Sequence, residues 1–202
     1  LLKKEVLVDA IDLRGVKANT GNLIEGMEIK GTLGKLYAKA DRIDLGKEIA
    51  RLNKIDLSDT AITLLMNDTT TNKDTTSTAV NWKLMLDQID LDRVAFAMQM
   101  PGDSLRLSTY IDKAGLTDGI VDLGSARYSA SQFLLSGSSL SYDGSYSDPA
   151  PGFDPAHIAL NDVNIRIDSL LYGGRDISAR IKKFSANDRS GLTLSSLTGD
   201  IS

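Results

Sequence analysis

The sequence predicts an all-β fold, an elongated and curved sheet built from short repeated strands. Three observations predict it. An eight-residue unit recurs along the chain, apolar and polar residues alternate between its copies, and no window of 12 or more residues carries an unbroken helical stripe. With 42% hydrophobic and 25% charged residues over 202 positions, the chain has the composition of a folded protein.

The unit reads "IDLRGVKA" from Ile11, "IDLSDTAI" from Ile55, "IDLDRVAF" from Ile89, "VDLGSARY" from Val121 and "IALNDVNI" from Ile158, with a degenerate copy, "IDLGKEIA", from Ile43. Apart from one step of 12, successive starts lie 32 to 37 residues apart, the spacing of an array. Two residues separate the apolar pairs Ile89, Leu91 and Val94, Phe96, so a straight strand would place the pairs on opposite faces. A bulge or tight bend is therefore expected at Asp92 and Arg93, or else the pairs belong to different strands.

Alternation marks the strands between the units: Trp82, Leu84, Leu86; Leu105, Leu107, Ile111; Val163, Ile165, Ile167; and Ile177, Ala179, Ile181. The best helical candidate, Gly46 to Leu52, amounts to two turns at most. Seventeen glycines, with frequent Asn, Asp, Ser and Thr, punctuate the chain at the cadence of an all-β protein. Some 15 to 20 short strands at about 4.8 Å spacing would make a rod roughly 70 to 100 Å long. The Thr-rich tract at 67–79 and the Pro/Gly-containing stretch at 142–155 read as loop insertions in one continuous unit spanning 1–202. A first residue that is Leu1, and an end on "LTGDIS" that reads like a strand cut mid-course, suggest a segment of a longer protein.

Bulk properties and motifs exclude several chemistries. A net charge of −4 with no Lys/Arg cluster argues against nucleic acid as a partner. Without cysteine there is no disulfide and no thiolate metal site. No stretch approaches 18 apolar residues, and "LLKKEV" has the wrong order for a signal peptide. His157, the single histidine, lies beside Pro155 as an ordinary loop residue, so any Ser/His/Asp arrangement would have to use it. No G-x-S-x-G elbow, phosphate-cradling loop or dinucleotide fingerprint occurs. The repeated Asp12, Asp44, Asp56, Asp90 and Asp122 read as solvent-facing charges that blunt sheet edges, and Asp143, Asp148 and Asp154 match no EF-hand spacing. No catalytic residue, metal site or cofactor is expected, and the chain is not read as an enzyme.

What remains is aliphatic. A strand array without covering helices must close on itself or fold into a groove, and an aliphatic groove left open is a binding surface. Leu84, Leu86, Leu105, Leu107, Phe133, Leu135, Val163, Ile165 and Ile167 are the candidate apolar-face residues. A structural or adhesive solenoid or sandwich, binding protein or glycan through its loops, is the alternative.

"VNWKLMLDQIDLDRVAF", Val80 to Phe96, resembles the recurring unit of the TamB and AsmA-like family of bacterial envelope proteins. Phe153 to Ser202, with a strand pair, a turn, "IKKF" and "SGLTLSSLTG", is similar to the segment that follows in such proteins. The resemblance implies a long curved sheet folded like a taco, apolar within and open along one side. It implies a periplasmic bridge anchored in the inner membrane, reaching an Omp85-type outer-membrane barrel through parts of the protein not present here, and carrying phospholipid by its acyl chains. Family members were first linked to assembly of outer-membrane and secreted proteins. The headgroups would stay in solvent at the open side.

Overall fold

A computed structural model of the chain describes residues 5–6, 9–21, 26–66, 81–173 and 176–202. The strands are β1 (Glu5–Val6), β2 (Ala10–Asn19), β3 (Met27–Asp44), β4 (Ile49–Met66), β5 (Lys83–Met100), β6 (Leu105–Asp122), β7 (Arg127–Asp143), β8 (His157–Gly173), β9 (Asp176–Asp188) and β10 (Thr193–Ile201). They form a single sheet in which β3 to β10 follow one another in chain order. The two short strands β1 and β2 both pair with β3 and share one edge, so the sheet is nine strand positions wide. All neighbours are antiparallel except β4 and β5, which are parallel. The chain therefore returns from Met66 at one rim to Lys83 at the other, through the Thr-rich tract at 67–79, which lies almost wholly outside the described residues.

The strands are fewer and longer than the alternation suggests. Strands β3 to β8 run 17 or 18 residues each, and the sheet measures about 38 Å across nine positions rather than the rod expected from 15 to 20 short strands. The reason lies in the repeat. In "IDLDRVAF" the fifth residue, Arg93, adopts a left-handed backbone with φ of 53°. Register with β6 continues without a shift on either side of it, Asp92 pairing Lys113 and Val94 pairing Ile111. The expected bend is thus present, but it creases the strand without ending it. One left-handed residue reverses the side-chain parity, so residues 89, 91, 94 and 96 all project from one face.

The same bend sits at Gly15 in β2, Asp59 in β4 and Asp162 in β8, the other in-strand copies of the unit. It also sits where the sequence reading found no unit: Asp118 in "AGLTDGIV", Gly137 in "FLLSGSSL" and Ser169 in "IRIDSLLY". Those three lack the Asp at position two, which the alignment had weighted, but keep the parity change, which is the physical signal. The copies at Ile43 and Val121 have a different role. Their Asp44 and Asp122 end β3 and β6, and the following four residues are hairpin turns. Asp44 accepts from the Gly46 and Lys47 amides and Asp122 from Ser125, so the Asp caps a turn. Gly46 to Leu52 is consequently no helix: it is this turn followed by the start of β4. The only helical element among the described residues is a 3-10 turn at Pro101–Asp103.

Two creases cross the sheet. The first runs through Gly15, Gly34, Asp59, Arg93, Asp112 and Gly137, and the second through Asp87, Asp118, Ser131 and Ser169. Along each, antiparallel neighbours take turns: one is left-handed and the next is not, while the parallel pair carries both at the first crease, Asp59 and Arg93, and neither at the second. Gly34 is the non-bent partner of Asp59, and a Cβ on it would lie 2.6 Å from the Asp59 carbonyl oxygen and 2.6 Å from its Cβ. Gly15 has open space around it and needs glycine only for its φ of 63°.

These two glycines should therefore respond differently to alanine. Gly15→Ala is expected to cost about 1 kcal/mol, the left-handed penalty less the gain from a stiffer unfolded chain. Gly34→Ala is expected to cost about 3 kcal/mol, because backbone atoms meet the new methyl and cannot turn away. Urea unfolding followed by circular dichroism separates them, and equal losses would contradict the crease geometry.

Candidate functional site

Directly paired residues project from the same face, so the register assigns every side chain to a side. One face carries unbroken apolar rows perpendicular to the strands. Leu13, Leu36, Leu57, Leu91, Ala114, Leu135, Ile165, Phe184 and Leu197 form a row across all nine strand positions. Beside it runs Ile11, Ala38, Ile55, Ile89, Leu116, Phe133, Ile167 and Ile181. Past the second crease, Ala50, Leu84, Val121, Tyr128, Tyr172 and Ile177 continue the surface, with the two tyrosine rings stacked at 5.9 Å. Past the first crease come Val94 with Ile111, then Met98, Leu107, Tyr142 and Ile158.

The opposite face is polar. The row next to the leucines holds Asp12, Tyr37, Asp56 and Asp90, so the Asp of the unit points to solvent, as expected for those three copies. Asp56 and Asp90 sit side by side, and each has its own partner: Lys54 Nζ at 3.2 Å and the Gln88 amide at 2.6 Å. At the first crease Arg93 donates two hydrogen bonds to Asp59, at 2.7 and 3.0 Å, and another to Asp92. The guanidinium holds the Asp59 carboxyl below the usual carboxylate range.

Burial shows which face is concave. A single-layer sheet has no second layer to cover it, and the aliphatic rows are mostly half-buried. The buried residues cluster at the inside of the bends. Thr60, Val94, Ser138 and Val163, at 2 to 7% exposure, follow the first crease on the apolar face, and Leu86, Gly119, Ala130 and Ala179 follow the second. The apolar face is thus the inside of a trough with three facets. Where hydroxyls take the buried position they are satisfied across the bend: Thr60 donates to the Ser58 carbonyl at 3.0 Å and Ser138 to that of Ser136 at 3.1 Å.

All nine candidate residues lie on this inner face. Leu135 and Ile165 are in the leucine row, Phe133 and Ile167 in the isoleucine row, Leu84 and Leu86 on the facet past the second crease, and Leu105, Leu107 and Val163 past the first. They do not follow a single parity within each strand, because parity reverses at the creases. Sequence reasoning missed the residues that complete the rows, above all Leu36, Leu57, Leu116 and Phe184. Small side chains leave a wholly apolar hollow of about 220 Å³ on this face, bounded by Val16, Ile29, Leu33 and Ile62 over Ala18 and Gly31.

His157 is not an ordinary loop residue. It begins β8 with 4% of its surface exposed, its Nδ1 3.0 Å from Asp143 Oδ1 and its Nε2 3.4 Å from Ser147 Oγ. With Nδ1–H donated to the carboxylate, Nε2 accepts from the serine, and the imidazole pins the loop after β7 to the outer rim. Asp154 in that loop accepts from the Ala150 and Ala156 amides. Tyr146 donates to the Pro101 carbonyl at 3.2 Å beneath the Arg106 guanidinium. Among the described residues, no three His, Asp or Glu side chains converge as a metal-binding group.

Acid should loosen this frame. Asp59 is held low by Arg93, Asp12 by Arg14, Asp122 by the Ser125 amide, Asp154 by the Ala150 amide and Asp188 by Ser190. A depressed carboxyl stabilises the fold above its unfolded pKa, and that contribution is lost as the pH falls through the folded value. Urea midpoints should thus stay level at neutral pH and fall only below the ordinary aspartate range. Asp59→Asn should flatten part of that fall, and high salt should shrink it, because these groups are solvated.

No protein-family model matches the chain, and no curated protein matches it.

Proposed function

We propose that the chain is a non-enzymatic segment of a bridge-type lipid carrier, whose trough shelters phospholipid acyl chains on their way between two membranes of a bacterial envelope. The observation that carries this reading is the leucine row, which crosses all nine strand positions without a polar interruption while the rows outside it are charged. The trough is about 38 Å long, more than twice the roughly 15 Å depth of one bilayer leaflet. Exposing an acyl chain of about sixteen carbons to water costs roughly 12 kcal/mol, and a continuous aliphatic surface offsets that cost without a deep well at any one point. Sliding requires such uniformity. Headgroups would remain at the open mouth, in keeping with an inner face that holds no charged constellation. The resemblance of Val80 to Phe96 and of Phe153 to Ser202 to the TamB and AsmA-like family points the same way. On that reading the protein works in the periplasm, anchored in the inner membrane and meeting an Omp85-type barrel through parts outside this chain.

The test is lipid loading. Mass spectrometry of an organic extract of the purified chain should show phospholipid. Ile165→Asp places a carboxylate in the middle of the leucine row and should reduce bound lipid at least tenfold. Ile165 is half-buried at the open inner surface, so the β-sheet circular dichroism should persist. A lipid-free wild type, or an Ile165→Asp variant that loads as well as wild type, would overturn the reading.

A further inference from the structure

We infer that the two edges of the sheet are complementary and that copies of this chain join head to tail, β10 of one against β2 of the next, to extend the trough. The inference rests on the edges and is independent of what the trough carries.

Strand β2 is exposed along all ten of its residues, and its inner-face side chains Ile11, Leu13 and Val16 are 41 to 44% exposed. At the other edge, Leu197 is 45% exposed. A long edge with unpaired backbone groups and exposed aliphatics is a template for another strand. Direction is the first match. Following the pairings across the sheet, β10 runs opposite to β2, so the junction would be antiparallel like all but one of the existing ones.

Register is the second match. In the apolar rows, β2 contributes Ile11, Leu13 and Val16, and β10 contributes Gly199, Leu197 and Leu194 to the same three rows. Both strands take three residues to cross the first crease, from 13 to 16 and from 197 to 194. Leu13 opposite Leu197 therefore brings Ile11 opposite Gly199 and Val16 opposite Leu194 in one unbroken antiparallel ladder. The bend rule is the third match. Gly15 is left-handed and Ser195, its partner in this ladder, is not, which is the alternation seen at every antiparallel pair along the first crease from Gly15 to Gly137. On the outer face Arg14 and Lys17 would meet Ser196 and Thr193, so no like charges oppose one another.

An interface made of two different edges propagates instead of closing on itself. Size-exclusion chromatography with light scattering, on the intact chain over a concentration series, should show a mass rising in steps above the 21.8 kDa monomer. Leu13→Lys and Leu197→Lys each place a charge on one exposed edge, where circular dichroism should find the fold unchanged. Each variant alone should be monomeric. Mixed in equal amounts they should form a dimer and nothing larger, because each retains one intact edge. A wild type monomeric at every concentration, a mixture that stays monomeric, or association of Leu197→Lys by itself through paired β2 edges would each overturn the head-to-tail junction.

Discussion

The structure depends on one backbone event, a single left-handed residue inserted into a strand. It reverses the alternation of side chains without breaking the hydrogen-bonded ladder, and everything else follows from its repetition at matching positions. Seven strands bend at the first crease in step, so the sheet folds along a line. Because parity reverses at that line, apolar residues on both sides of it stay on one face. Without the reversal, a bend would carry Val94 and Phe96 to the outside while Ile89 and Leu91 stayed within.

The conformation costs about 1 to 2 kcal/mol at each residue with a side chain. Local chemistry offsets it. Gly15 and Gly137 avoid the penalty. Asp59, Asp118 and Asp162 are of a type that tolerates left-handed backbone, and each has a polar side-chain partner: Arg93, Ser131 and Asn187. Arg93 is left-handed beside Asp59, which is left-handed too, in the one parallel pair of the sheet. Their double hydrogen bond spans the place where two strained residues adjoin. Its worth lies in fixing register more than in raw stability, since both groups are solvated.

The sequence announced this device more clearly than it announced the strands. The parity change at Asp92 and Arg93 is legible from spacing alone, and it demands a bend. What spacing does not reveal is whether hydrogen bonding survives the bend, and that decides between many short strands and fewer long ones. The Asp at position two misled the alignment in both directions. It drew in the hairpins after Asp44 and Asp122, where it caps a turn, and it left out the bends at Asp118, Gly137 and Ser169, where position two is Gly, Leu and Arg. The candidate face fared better, because apolar alternation marks a face whether or not the strand is bent. Its full extent was hidden, since a row such as Leu36, Leu57, Leu91 and Leu135 exists only through long-range register.

A trough of this kind is also an unusual way to use apolar surface. In a sandwich, a second layer removes the inner faces from water. Here only the residues tucked into the creases are buried, and the leucine and isoleucine rows between them stay half-exposed. The fold must therefore draw much of its stability from continuous ladders of 17 or 18 residues, which explains why bends that keep the ladder intact replace breaks. It also means that any acyl chain lying in the trough would supply the missing layer. On the proposed reading, cargo and core are then the same thing seen at different moments. Occupancy would stabilise the sheet by mass action, and the absence of a specific pocket would let each lipid leave as readily as it came.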